Sequence, residues 1–150
     1  MVKLSVRAGA PIYDENGQLI GALSTGYVVS KNGIVDHGKT MFGADFTLFL
    51  GTERVASTLS KSATERDTGT MLTNTAIWQT VSSGKSHFEM AELFGNRYYT
   101  AYSPLIGASG KPTGIVLTAV PLSSIDAIKL AIMERIGLCA AVIILIAAFG

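Results

Sequence analysis

The 150 residues contain one cysteine, Cys139, and it lies inside an apolar run. The polar part of the chain therefore has no disulfide and no thiol nucleophile, and cysteine usage does not identify its redox compartment. Neither sign of charge is in excess. Twelve Lys and Arg against 11 Asp and Glu leave +1, with no basic run, which excludes the electrostatic footprint of a nucleic-acid-binding surface. Catalytic apparatus is also missing. His37 and His87 stand in no HExxH or paired-carboxylate spacing and there is no CxxC, so a metal site is not expected. There is no GxSxG elbow, and none of the 16 glycines belongs to a P-loop or dinucleotide fingerprint. The N-terminal stretch MVKLSVRAGAP lacks the apolar core and small-residue cleavage site of a signal peptide. Together these absences point to binding rather than catalysis, with no cofactor.

Apolar residues make up 48% of the chain but are unevenly spread, and from Ile136 to Gly150 no side chain is charged. Spanning a bilayer takes about 20 apolar residues. This run meets the end of the sequence first, so it is expected to be the start of a transmembrane helix, a buried core helix being the alternative. With the N-terminus, this reads as a piece of a larger protein, long enough for one domain with a proper core.

Patterning predicts the elements. Residues 10–30 read as strand, turn, strand, with Asp14-Glu15-Asn16-Gly17 as the turn. Ile34, Val35 and Met41 suggest a short helix within 32–43, and ADFTLFL and ERVASTL form a hairpin around Gly51-Thr52. A helix follows over 73–84, capped by Thr73 or Asn74 and ended by Gly84. HFEMAELFG and NRYYTAYSPL make a third hairpin, and 113–122 a last strand. Ser123 and Asp126 have capping-box spacing, and Ile125, Ile128, Ile132 and Ile136 form one helical stripe behind them. The chain also repeats itself. A shift of 93 positions lays Ala8, Pro11, Gly17, Gly21, Thr25 and Ser30 on Ala101, Pro104, Gly110, Gly114, Thr118 and Ser123, the pattern of a duplicated closing hairpin.

Arg54 leads the candidate binding residues. Simple alternation puts it on one strand face with Ala56 and Thr58. A planar guanidinium with a nearby hydroxyl suits a small organic acid; a solvated hairpin arginine paired with Glu53 or Glu65 is the alternative. Arg66, flanked by acids, is expected in a local ion pair. Arg97, Tyr99 and Ala101 share one face of their strand, and Tyr98, Thr100 and Tyr102 the other. These tyrosines fit either a pocket wall or half-buried sheet packing, and Trp78 fits either core or pocket lining.

FGADFTLFLGTERVAST, RDTGT, FGNRYYTAYSPLIGASGKPTGIVL and the apolar helix after them resemble the Cache-type extracellular sensor domain of bacterial methyl-accepting chemotaxis proteins. The resemblance covers roughly residues 32 to 124. APIYDENGQLIGALSTGY resembles the closing hairpin of another Cache module, which implies a double-Cache parent. The implied fold is α+β, a PAS-like antiparallel sheet flanked by helices and followed by a C-terminal transmembrane helix. Residues 1–30 would close a preceding module, 31–122 form the sensor, and 123–150 the signalling helix and the start of the membrane span. Citrate- and dicarboxylate-sensing relatives place a cation in the strand of Arg54. Arg54, Thr58, Trp78, Arg97, Tyr99 and Tyr102 are therefore the expected ligand-binding residues. The expected partners are a small organic anion, membrane lipid and a second copy in a homodimer. The expected location is the inner membrane, with the sensor on the periplasmic side. Two parts of a complete receptor, the long N-terminal helix and a HAMP region, do not occur in the sequence. The output thus stays open between chemotaxis, a histidine kinase, a cyclic-dinucleotide enzyme and a non-sensing interaction module.

Overall fold

The computed structural model describes residues 4–62 and 64–149, with side chains to Leu138 apart from those of 128, 131 and 137. Two sheets form. β1 (Ser5–Tyr13) and β2 (Leu19–Val28) make a separate two-stranded hairpin. The larger sheet has five antiparallel strands in the order β4-β3-β7-β6-β5. These are β3 (Asp45–Leu50), β4 (Glu53–Ser57), β5 (His87–Leu93), β6 (Asn96–Ile106) and β7 (Pro112–Pro121). The α+β class and the antiparallel sheet with flanking helices agree with the expected Cache fold.

α1 (Gly33–Phe42) covers the β3–β4 part of one face. Gly43 ends it in the left-handed region, and its N–H donates to the Lys39 carbonyl. Val35 of α1 is buried against Val29, Leu48 and Ala56. Of the predicted helical stripe only Val35 is buried; Ile34 and Met41 are exposed. α2 (Thr75–Ser82) covers the other face, and of the two proposed caps Asn74 takes the role, accepting from the Ala76 N–H at 3.1 Å. Ile77 and Val81 from α2 join Phe49, Leu59, Tyr102, Ile115, Leu117 and Ala119 in the main core.

α3 (Leu122–Phe149) follows β7 with no intervening residue. This corrects the expected helix start: Ser123 lies inside the first turn rather than capping it, and Asp126 stands 3.9 Å from Lys129. From 139 onward the apolar run lies outside the residues whose side chains are described. Among the described residues no helix is long and apolar enough to cross a membrane.

Candidate functional site

A β-bulge decides which face Arg54 occupies. Leu48 pairs with Ala56 but Phe49 pairs with Arg54, leaving Val55 as the extra residue. Simple alternation therefore fails here. Ala56 packs beneath α1 with Leu48, whereas Arg54 lies over the ring of Phe49, 5.1 Å from its centroid, on the face of α2. Thr58 is parted from Arg54 as well. Its hydroxyl donates to Asp45 Oδ1 at 2.7 Å and accepts the Phe46 N–H at 2.9 Å. Asp45 also pairs with Lys39 at 2.5 Å, so Thr58 belongs to a network that ties α1 to the sheet.

Arg54 is no solvated hairpin charge, since its side chain is only 13% exposed. Neither Glu53 nor Glu65 is the carboxylate that Nη1 meets. Nη1 donates to Asp67 Oδ2, a short contact, and to Thr70 Oγ1 at 2.8 Å. The Thr70 hydroxyl in turn donates to Asp67 Oδ1 at 2.9 Å, and Lys61 Nζ stands 3.7 Å from the same oxygen. Asp67 is 2% exposed. The backbone draws the loop against β4: the Arg54 N–H donates to the Thr70 carbonyl, and the Gly69 N–H to the Arg54 carbonyl. Arg54 Nε is buried and has no hydrogen-bond partner among the described residues. Burial lowers the pKa of the guanidinium from its ordinary value, and Tyr102 opposes that shift. Burial, then Glu89, raise the Tyr102 phenol, while a hydrogen bond with Thr100 and the charge of Arg54 act against the rise.

Of the expected residues, Arg54 and Tyr102 share the face of Phe49, and Trp78 packs against the core cluster that contains Phe49 and Tyr102. Tyr102 also lies beside His87, with ring centroids 6.2 Å apart. Tyr99 and Ala101 face the other way. They line an open groove of about 430 Å³ with Phe88, Met90, Thr118 and Val120. Arg97 is exposed, opposite Glu92 in the strand register. Arg66 makes an ion pair, but not the local one expected: its partner is Asp36 of α1 at 2.5 Å rather than a flanking acid. A second groove of about 370 Å³ lies along α1, lined by Val35, Phe46, Leu48 and Val116 among others. Neither groove is lined by a cation; the first carries Glu89 among its lining residues, and the second is lined by apolar side chains and Gly38. Sequence reasoning missed Asp67, Thr70 and Lys61. The available signal was RDTGT, where an acid and a hydroxyl at i and i+3 can both turn to one cation.

A family model described as single Cache domain 3 matches residues 27–131. No curated protein matches the chain.

Proposed function

Because the chain belongs to the single Cache domain 3 family, whose domains are extracellular small-molecule sensors, we propose that it is the ligand-sensing part of a bacterial transmembrane chemoreceptor with a small organic acid as ligand. The observation that carries the choice of ligand is the Arg54 side chain, with a buried and unpartnered Nε. Among the described residues its side-chain hydrogen bonds use Nη1, which leaves Nε as the donor that a carboxylate entering the site would take. Leaving a buried donor unsatisfied costs about 1–3 kcal/mol. Accepting from it is therefore a source of affinity not already spent within the fold. Asp67 is the positioning residue in this reading. Together with Thr70 it fixes the guanidinium, and Lys61, which stands 3.8 Å from Glu65, lies at its rim.

The test is a thermal-shift series on the 150-residue chain with acetate, propionate, lactate, succinate and citrate, and propionamide as the neutral control. An acid at 100 times its Kd stabilises the fold by about 2.7 kcal/mol, a rise of several degrees in Tm. Propionamide should give none. If propionamide stabilises the chain as well as the acids do, or if no acid stabilises it, the organic-acid reading fails.

In the same proposal residues 31–122 form the sensor, and 123–150 carry the signal into the membrane. The support is the absence of charge from Ile136 to the last residue of the sequence, a run whose part up to Phe149 belongs to the helix that starts at Leu122. Ser60 and Ser109 are exposed. As cysteines in the full-length protein they should react with a membrane-impermeant thiol reagent in cells with a permeabilised outer membrane. Labelling that requires inner-membrane lysis would place the domain in the cytoplasm.

A further inference from the structure

The face of Arg54 also holds an ionisable pair, His87 and Glu89, that takes no part in anchoring the acid. β5 is an edge strand of the five-stranded sheet, and it sets His87 opposite Tyr102 and Glu89 opposite Thr100. Alternation turns both side chains to the same side. His87 Nε2 stands 3.4 Å from Glu89 Oε2, and the imidazole lies 6.2 Å from the Tyr102 ring, centroid to centroid. The two side chains are 27% and 31% exposed. Protons from solvent therefore reach them, while charge is screened less than in open water.

Tyr102 stands between this pair and Arg54. It is buried, and the charges of Glu89 and Arg54 act on its phenol in opposite directions. Thr100 adds a second link: it hydrogen-bonds with Tyr102, and its hydroxyl donates to the Glu89 carbonyl at 2.9 Å. The other charges around Arg54 are matched. Arg54 meets Asp67, and Lys61 lies near both Asp67 and Glu65. Glu89 has His87 as its one ionic partner among the described residues. The elements packed against β5 bring no further charge to the imidazole. α2 contains no titratable side chain, and β6 presents Tyr102. Lys85, in the loop before β5, is exposed.

Imidazole is the side chain that ordinarily changes charge between pH 5 and 8. With His87 neutral, the pair presents the negative charge of Glu89 to Tyr102. With His87 protonated, it is an ion pair with no net charge. We infer that acid binding at Arg54 is coupled to proton uptake by His87, so that the site takes an organic anion more tightly as the medium becomes acidic. This coupling rests on the reading of Arg54 as the anchor. It makes His87 and Glu89 regulators that act through Tyr102 without touching the ligand. By linkage, the bound acid favours the protonated imidazole to the same degree. Solvent screening at these half-buried groups holds the effect to a few-fold.

Calorimetric titration of the 150-residue chain with acetate, propionate, lactate, succinate and citrate, at about pH 5.5 and 7.5, tests the coupling. His87→Gln is the reference, because it subtracts the titration of the acids themselves. Relative to that variant, the native chain should gain about threefold to tenfold in affinity as pH falls. Buffers of different ionisation enthalpy should also register more proton uptake on binding by the native chain. Glu89→Gln should strengthen binding at the higher pH, a direction that loss of a structural contact would not give. Identical pH profiles for the native chain and His87→Gln overturn the inference and leave Arg54 as the anchor, as does weaker binding by Glu89→Gln. Binding of none of the five acids at either pH removes both readings. If His87→Gln does not fold, the His87 proton resonance of the native chain decides, assigned with His37→Gln. Its titration midpoint should move to higher pH when whichever of the five acids binds is added, and an unmoved midpoint refutes the coupling.

Discussion

Arg54→Ala should destabilise the domain by about 3–5 kcal/mol, as expected when one partner of a buried ion pair is removed. It would leave the Asp67 carboxyl at 2% exposure without its guanidinium partner, with Thr70 and the more distant Lys61 as its side-chain contacts among the described residues. It would also remove the cation over Phe49. Replacing both members, Arg54→Met with Asp67→Leu, should recover most of that loss, since apolar groups of similar volume carry no desolvation penalty. Ligand binding separates the two roles of the arginine. The double variant should fold and still bind the stabilising acid at least tenfold more weakly, because each charge-assisted hydrogen bond lost is worth about 1.5–3 kcal/mol. Arg54→Lys should regain part of the affinity, keeping the charge without the fork. Urea denaturation gives the stabilities, and calorimetric titration with the acid that raised the Tm gives the affinities. Undiminished affinity in a folded double variant would remove Arg54 from the ligand site and leave it a structural ion pair.

Inserting two glycines between Leu122 and Ser123 should abolish ligand-dependent output of the full-length receptor while changing ligand affinity by less than about twofold. β7 ends at Pro121 and α3 begins at Leu122, so displacement of the strand has no linker in which to dissipate. α3 also packs on β6 and β7, and β6 contributes Tyr102 to the Arg54 face. A ligand shifts such a system only by its differential affinity for the two arrangements. Moving a 1:99 population to 99:1 takes about 5.5 kcal/mol. Glycines in the first turn break the rigid connection without touching the site. Output measured in cells beside titration of the purified receptor checks both halves, and retained output would mean that the signal leaves the domain by another route.

Local chemistry was legible from the amino acids alone. The Asp14–Gly17 turn reads from its residues because Asp14 Oδ1 accepts from the N–H groups of Asn16 and Gln18, two and four positions on. Asn74 reads as a cap because its partner is two residues away. The faces of β6 follow from alternation, since no bulge interrupts the strand around Tyr98 to Tyr102. The repeat was visible too, through residues that turn and bulge geometry demand. Tertiary structure alone decided the surroundings of Arg54. One unpaired residue, Val55, breaks the period of two and moves Arg54 away from Ala56 and Thr58. Its partner Asp67 lies 13 positions on, in a loop held to β4 by backbone hydrogen bonds. Turns and caps are settled between near neighbours, whose reach the sequence displays. The pairing of a buried charge depends on which loop the fold lays beside it, and the order of residues does not encode that distance.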